Sequence, residues 1–192
     1  PRLATEVAYA LWLSSGRPKR IHPIEQRVID EATRSWIRVN GTRVAVYPWG
    51  DGPYTVLLTH GWHGRAAEFA DIVRRLRRDD RTLIAFDAPG HGESGGRQPD
   101  VRDFAETIGA LSHRYGPFEA MVSHSFGNLA STLAIRNGTH TQRLVSIGGV
   151  AELRYVVTSV GAIMQLNQRT LEGLVRRIER GRFGKVPDFW NS

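Results

Sequence analysis

Four short, mainly apolar runs constrain the fold of this chain more than any other feature. They lie at 54–59, 82–86, 119–122 and 143–147, and segments of helical periodicity separate them at 65–78, 100–115 and 126–136. A strand that is apolar on both of its faces is typical of a sheet covered on both sides. Such strands alternating with helices predict an α/β fold, a mostly parallel sheet with helices on both faces.

A β-hairpin is predicted before the first of these runs. Residues 36–39 and 43–47 alternate apolar with polar side chains, and Asn40-Gly41 lies between them. Asn-Gly between two alternating runs is the strongest short-range hairpin signal. We therefore expect an antiparallel first pair in a sheet of six strands, near 36–40, 43–48, 54–59, 82–86, 118–122 and 143–148.

Both ends of the chain are predicted to be helical. Residues 1–35 are amphipathic, with breaks at Gly16-Arg17-Pro18 and at Pro23 and a second helix near 24–34. After Gly149 the strand pattern stops, and helical periodicity follows at 152–166 and 168–180. The sequence thus predicts three parts: a helical extension over 1–35, a sheet-based core over 36–150 and a helical region over 151–192.

The formal net charge of +7 raises nucleic acid as a partner, because a basic surface attracts phosphate. The densest basic run, at 74–78, is followed directly by Asp79 and Asp80 and is preceded by Glu68 and Asp71. Charges of both signs along one helical segment indicate a solvated helix face. We therefore expect no nucleic-acid partner.

Nothing in the sequence predicts a membrane span or a disulfide framework. The most apolar early stretch, 3–13, is too short to cross a bilayer and contains Glu6. It has neither the basic leader nor the cleavage site of a signal peptide, although the chain opens on Pro1 and its true N-terminus is expected upstream. The absence of cysteine excludes disulfides, thiolate zinc sites and cysteine catalysis. We expect a cytoplasmic protein with neither a metal nor a cofactor.

The stretch Ser123-His124-Ser125-Phe126-Gly127 carries the strongest chemical signal. It joins the end of a predicted buried strand to the start of a helix. A sharp turn at this point lifts the Ser125 hydroxyl above the sheet, and it admits only small residues two positions to either side. Ser123 and Gly127 meet that requirement, although this motif alone is also compatible with an ordinary turn between a strand and a helix.

Two further motifs follow two earlier strands. His60-Gly61-Trp62 comes after the run at 54–59, and Asp87-Ala-Pro-Gly-His-Gly-Glu-Ser94 comes after the run at 82–86. Together with the serine motif they resemble the α/β-hydrolase superfamily, whose usual serine pattern, G-x-S-x-G, has glycine where this chain has Ser123. The resemblance covers about residues 36–150 and is nearest to the short-loop serine hydrolases and esterases.

The resemblance implies a role for each matching residue. Ser125 would be the nucleophile, and the backbone N–H groups of Trp62 and Phe126 would form the oxyanion hole. In the glycine-rich motif at 87–94, structural roles would fall to Asp87, His91 and Ser94. A serine at position 125 also argues against the haloalkane dehalogenases and epoxide hydrolases of the superfamily, which have aspartate there.

The catalytic acid and histidine of the superfamily have no clear match in this sequence. The family order places them after the nucleophile, at the ends of a seventh and an eighth strand, and the sequence predicts neither strand. His140 comes before the sixth strand, at the wrong side of the predicted sheet, and Glu152 is a weak candidate for the acid. We therefore expect a C-terminally truncated fragment, with the acid and the histidine beyond Ser192.

Two functions from different classes follow from the resemblance. The first is a serine hydrolase in the full-length parent, which cleaves a small-molecule ester or related acyl bond through an acyl-enzyme on Ser125. The second is a non-catalytic α/β-hydrolase-fold protein that binds a ligand in the same pocket. The helices after Gly149 would either form a lid over the site or simply pack beside the sixth strand. The lid is favoured, because a plain crossover needs only one helix. No pattern in the sequence specifies an oligomeric state.

We expect the 192-residue chain by itself to be nearly inactive on p-nitrophenyl acetate. A serine hydroxyl is a weak nucleophile until a base takes its proton, and in a comparable serine enzyme the loss of the histidine lowers turnover about 10⁶-fold. A spectrophotometric ester assay with Ser125→Ala as the control measures this. Turnover of roughly 1–10³ s⁻¹ that Ser125→Ala abolishes would contradict the expectation.

Overall fold

The computed structural model describes residues 2–13, 20–97, 99–150 and 152–180. The strands in this part of the chain are β1 (Ser35–Val39), β2 (Thr42–Trp49), β3 (Tyr54–Thr59), β4 (Arg81–Phe86), β5 (Phe118–His124) and β6 (Thr141–Ile147). The helices are α1 (Arg2–Leu13), α2 (Pro23–Asp30), α3 (Ala70–Leu76), α4 (Val101–Tyr115), α5 (Phe126–Arg136), α6 (Leu153–Ile163) and α7 (Gln168–Arg180), and a 3₁₀ turn at Ala66–Phe69 leads into α3.

The six strands form one sheet in the order β1-β2-β4-β3-β5-β6. β1 pairs with β2 and β2 with β4 in antiparallel directions, whereas β4, β3, β5 and β6 are mutually parallel. This arrangement confirms the predicted mostly parallel sheet with its antiparallel first pair. In such a sheet the carboxyl ends of the parallel strands meet at one edge, so the loops that follow β3, β4 and β5 lie together.

Side chains that alternate along the strands cover both faces of the sheet. On one face, Val56 and Leu58 of β3 belong to a buried cluster that includes Val28 of α2 and Val73 of α3. The intervening Leu57 is also fully buried, and α4 and α5, which pack on each other, carry many buried apolar residues. The sheet therefore has helices on both faces, as the apolar strand runs predict.

The start of α4 follows the sequence signal for a helix cap. The Asp100 carboxylate accepts hydrogen bonds from the N–H groups of Arg102 and Asp103, and the Asp103 carboxylate accepts one from the Asp100 N–H. These reciprocal bonds satisfy N–H groups that have no partner inside the helix. At α2, Pro23 lies in the first turn, where a missing N–H costs nothing, so this proline begins the helix rather than breaking it.

Three predicted helices are shorter in the structure. The helix expected at 24–34 ends at Asp30, because the Thr33 N–H instead donates to the Pro48 carbonyl next to the sheet. The helix expected at 65–78 is reduced to the 3₁₀ turn and α3, and the Ala66 N–H at its start donates to the Asp87 carboxylate. The helix expected at 152–166 ends at Ile163, close to the positive φ of 53° at Gln165.

Contacts divide the chain into two compact units. One comprises 15–149 and carries the sheet, and the other combines 1–14 with 150–192. Within the second unit α1 packs on α7, where the Arg177 guanidinium lies 4.3 Å from the Tyr9 ring and donates to the Glu6 carboxylate. The domain boundaries at 35 and 150 stay a prediction, and the predicted break at 16–18 lies outside the described residues.

No helix in the described segments combines the length and the apolar character needed to cross a bilayer.

β6 is the last strand of the sheet and pairs along one side with β5. Its apolar side chains are partly open to solvent, with exposed fractions of 37%, 47% and 40% for Leu144, Val145 and Ile147. An exposed apolar strand that is paired along only one side is a template for pairing with another chain. We therefore expect the 192-residue chain to aggregate through β6.

Val145→Lys is expected to slow this aggregation and to change the free energy of unfolding by no more than about 0.5 kcal/mol, because the position is exposed. Val122 is the matched control, since it lies directly opposite Val145 in β5 but is only 7% exposed. Val122→Lys should destabilise the fold by about 3 kcal/mol or more, because it buries a charge. Light scattering and thermal unfolding measure both effects. Equal aggregation of Val145→Lys and the parent chain would contradict the role of β6.

Candidate active site

Ser125 lies on the turn between β5 and α5. It is the N-cap of α5, and its backbone has φ of 50° and ψ of −120°, a conformation that a residue with a side chain rarely adopts. The Ser125 N–H donates to the Ile147 carbonyl at 3.0 Å, and the Ser125 carbonyl accepts from the Asn128 N–H at 3.0 Å. These bonds hold the strained turn that the serine motif predicts, and they leave Ser125 partly exposed.

Two glycines allow the loop after β3 to lie directly against this turn. A Cβ at Gly127 would be 2.5 Å from the Thr59 carbonyl oxygen and 2.6 Å from that of His60, too close for any side chain. A Cβ at Gly61 would be 3.1 Å from the Ser125 Cβ. The strand end, the start of α5 and the loop at 60–65, called the first loop below, are therefore in backbone contact.

Ser123 fills the position where the family pattern has glycine. Its side chain is fully buried, and its hydroxyl lies 2.7 Å from the hydroxyl of Ser131 on α5. The Ser131 hydroxyl in turn lies 3.5 Å from the Thr59 hydroxyl. A buried hydroxyl costs stability unless it is hydrogen-bonded, and here α5 supplies the partner. The departure from the family pattern is thus compatible with the turn.

The first loop is joined to the loop that follows β4, residues 87–96, called the second loop below. His60 is fully buried, and its Nε2 accepts a hydrogen bond from the Ala88 N–H at 2.9 Å. His91 of the second loop is also buried, and its Nε2 accepts a hydrogen bond from the backbone N–H of His63 at 3.3 Å. Burial lowers the pKa of each imidazole to about 4, so both are neutral at pH 7.

Asp87 anchors the second loop. Its buried carboxylate accepts hydrogen bonds from the Tyr47 hydroxyl at 3.1 Å and from the N–H groups of Ala66 and Glu93, both at 2.8 Å. The Ser94 hydroxyl donates to the Asp87 carbonyl and accepts from the Ala45 N–H. Burial and the nearby carboxylate raise the pKa of Tyr47. Asp87, His91 and Ser94 thus make structural contacts, in keeping with the structural roles that the resemblance implies.

Aromatic rings bring the two expected oxyanion-hole residues together. The Trp62 and Phe126 ring centroids are 5.0 Å apart, and Trp62 also lies 5.2 Å from the His91 ring and 6.4 Å from that of Phe104 on α4. The contacts of Trp62 with Phe126 and His91 are edge-to-face and the contact with Phe104 is stacked, and aromatic pairs of both kinds add to the packing of the rings. Trp62, Ser125 and Phe126 therefore lie at one place on the sheet edge, and their catalytic roles stay a prediction.

The two weaker candidates are His140 and Glu152. The His140 carbonyl accepts from the N–H of Phe118, the first residue of β5, whereas Ser125 follows the last residue of that strand. A seven-residue strand is roughly 20 Å long, so His140 is at the wrong end of the sheet, as the sequence predicts. Glu152 is the N-cap of α6 in the other compact unit.

Sequence reasoning did not assign a role to His60. The structure shows that its side chain joins the two loops next to Ser125. The sequence signal for such a role is the position of His60 directly after the apolar strand 54–59, because a polar side chain that is buried there needs hydrogen-bond partners.

Comparison with known proteins gives consistent matches. The model of the alpha/beta hydrolase family matches residues 56–191. The monoacylglycerol lipase of Mycolicibacterium smegmatis (strain ATCC 700084 / mc(2)155) is 30% identical over 77 residues, which are 38% of this chain and 28% of the lipase.

Two solved structures are similar as well. The epoxide hydrolase CorEH is 26% identical with a TM-score of 0.55, over 64% of this chain and 44% of CorEH. The esterase EaEST from Exiguobacterium antarcticum is 18% identical with a TM-score of 0.58, over 71% of this chain and 57% of the esterase. The chain thus spans less than two thirds of the length of each of these relatives.

Gly127→Ala is expected to lower the free energy of unfolding by about 3 kcal/mol or more, because the new methyl group would overlap two backbone carbonyls. The matched control is Gly109→Ala in α4, where the added methyl group meets open space. That substitution should raise stability by up to about 1 kcal/mol, since alanine is the better helix former. Urea unfolding compares the two variants. If Gly127→Ala raises the free energy of unfolding as Gly109→Ala does, the contact at Gly127 is not tight.

Proposed function

The chain belongs to the alpha/beta hydrolase family, and on that premise we propose that the whole protein hydrolyses an ester or related acyl bond through an acyl-enzyme on Ser125. The observation that carries this proposal is the strained backbone of Ser125 at the turn between β5 and α5. Strain of this kind is retained at sites where the surrounding structure maintains it, and such sites are often functional. The turn also holds Ser125 against the first loop, since a Cβ at Gly61 would lie 3.1 Å from the Ser125 Cβ.

In the proposed reaction the Ser125 oxygen attacks the substrate carbonyl carbon while a general base takes the hydroxyl proton. The tetrahedral intermediate carries a negative oxygen, which accepts hydrogen bonds from the Trp62 and Phe126 N–H groups. The intermediate then collapses, and the alcohol leaves with the proton from the base. Water hydrolyses the acyl-enzyme by the same steps and releases the acid.

The start of α5 supports a site for negative charge. Phe126 is the first residue of this eleven-residue helix, and the first N–H groups of a helix have no acceptor within it. The helix dipole also places partial positive charge at this end. An oxyanion that forms beside Ser125 would therefore meet a donor that is already oriented, which lowers the energy of the transition state more than that of the ground state.

An acyl substrate is favoured over an epoxide. Epoxide hydrolases are among the structures similar to this chain, but the resemblance of the motifs assigns aspartate to the nucleophile position of those enzymes, and this chain has Ser125. A lipase and an esterase are among the similar proteins as well. Serine is the nucleophile of acyl transfer in the triad enzymes, where a base activates it.

A fluorophosphonate probe should label the whole protein at Ser125, because an activated serine attacks phosphorus as it attacks an acyl carbon. Ser125→Ala should abolish the labelling. Ser123→Ala is the matched control from the same motif. Because Ser123 is fully buried and should not react with the probe, this variant should still be labelled at Ser125. Mass spectrometry of the labelled peptide locates the adduct. A well-folded whole protein that the probe does not label at Ser125 would instead favour the non-catalytic binding protein.

A further inference from the structure

Trp62 lies between two peptide groups that are each hydrogen-bonded to a buried histidine. The Gly61 carbonyl and the Trp62 N–H belong to one peptide group, and the Trp62 carbonyl and the His63 N–H belong to the next. We propose that His60 and His91 are positioning residues that fix these two peptide planes and thereby aim the Trp62 N–H at the reacting oxygen. This inference rests on the proposed function, in which that N–H is an oxyanion donor.

His60 acts on the first peptide group. The His60 Nδ1 lies 2.7 Å from the Gly61 carbonyl oxygen, and the Gly64 N–H donates to the same oxygen at 3.0 Å. Because the Ala88 N–H donates to Nε2, the Nε2 atom must carry a lone pair and the proton must reside on Nδ1. In a trans peptide the N–H points away from the C=O, so a bond that holds the Gly61 oxygen also sets the direction of the Trp62 N–H.

His91 acts on the second peptide group with the same chemistry. Its Nδ1 lies 3.0 Å from the Pro89 carbonyl oxygen, so Nδ1 carries the proton, and its Nε2 accepts from the His63 N–H. His63 has a positive φ of 60°, which is an unfavourable conformation for a residue with a side chain. The bond to His91 lies at this strained residue and opposes its relaxation to an ordinary conformation.

The two bonds between the loops run in opposite directions. His60 extends from the first loop to a donor on the second, and His91 extends from the second loop to a donor on the first. The imidazole centroids are 5.1 Å apart, and His91 also lies 5.3 Å from the Phe104 ring. Loss of His60 would remove the acceptor of the Ala88 N–H, which belongs to a fully buried residue, and this costs more than the bond itself is worth.

Both bonds require the neutral imidazole, since a proton on Nε2 would point at another N–H. Burial keeps the pKa of both rings low, and His60 lowers the pKa of His91 further. The other charged or ionisable groups that act on the two rings are Arg65, His124, His63 and Asp87. Asp87 is the one of these that favours protonation, and it acts on His91. The pair therefore stays in the bonded form at neutral pH.

The first test uses NMR on the 192-residue chain, with Val145→Lys in every sample to slow aggregation through β6, and needs no catalytic activity. The ¹⁵N shifts of both rings should show a protonated Nδ1 and an unprotonated Nε2 at pH 7. In His91→Phe, hydrogen exchange at the His63 amide should be at least ~10-fold faster than in the parent chain, with amides of β3 and β5 unchanged. His113→Gln, at an exposed position of α4, is the control and should change neither.

Three results would overturn the proposal. They are the opposite tautomer in either ring, an unchanged exchange rate at His63 in His91→Phe, and an equal acceleration over the whole sheet, which would mean a general loss of stability. If His91→Phe does not fold, the ring shifts of the parent chain still decide the matter.

The second test uses the whole protein and an ester substrate. His91→Phe should lower kcat by about 10- to 100-fold and change KM by less than about 3-fold, because an oxyanion donor acts mainly in the transition state. His91→Gln, whose side-chain oxygen can accept from the His63 N–H, should recover part of the loss. A rise in KM with unchanged kcat would contradict the positioning role. If the unsubstituted whole protein hydrolyses no ester, the proposed function fails. The NMR result still decides whether the histidines hold the Trp62 peptide groups.

Discussion

The contact of three backbone segments around Ser125 is the constraint on which the rest of the site depends. Gly127 brings α5 against the carbonyls that end β3, and Gly61 brings the first loop against the Ser125 side chain. A side chain at Gly127 would require the backbone to move, and one at Gly61 would require its neighbours to shift by a few tenths of an ångström. Once these segments are in contact, the Ser125 hydroxyl, the start of α5 and the Trp62 peptide group have fixed neighbours, and the buried polar groups between them must find partners within the protein.

Much of the fold and part of the site could be predicted from the sequence, because local patterns determine them. The apolar runs at 54–59 and 82–86 predict β3 and β4 with the observed bounds to within one residue, and Asp100 predicts the start of α4. The serine motif predicts a turn at Ser125, and the structure has that turn. Each of these signals depends on a few consecutive residues.

The features that could not be predicted depend on contacts between distant residues. The helix expected at 65–78 is shortened where Ala66 bonds to Asp87, and the packing of α1 on α7 joins residues more than 150 positions apart, such as Glu6 and Arg177. The hydrogen bonds of His60 and His91 are of the same kind, since each needs a donor from a different loop. A histidine in a sequence shows neither its tautomer nor its burial.

The central claim, that Ser125 forms an acyl-enzyme, is tested most directly by trapping the intermediate. The whole protein is mixed with p-nitrophenyl acetate, quenched with acid within the first turnover, digested and analysed by mass spectrometry. An acetyl group is expected on the peptide that contains Ser125, formed as fast as p-nitrophenol is released in the initial burst. An ester-hydrolysing protein with the acetyl group on another residue, or with no covalent intermediate during the burst, would contradict it.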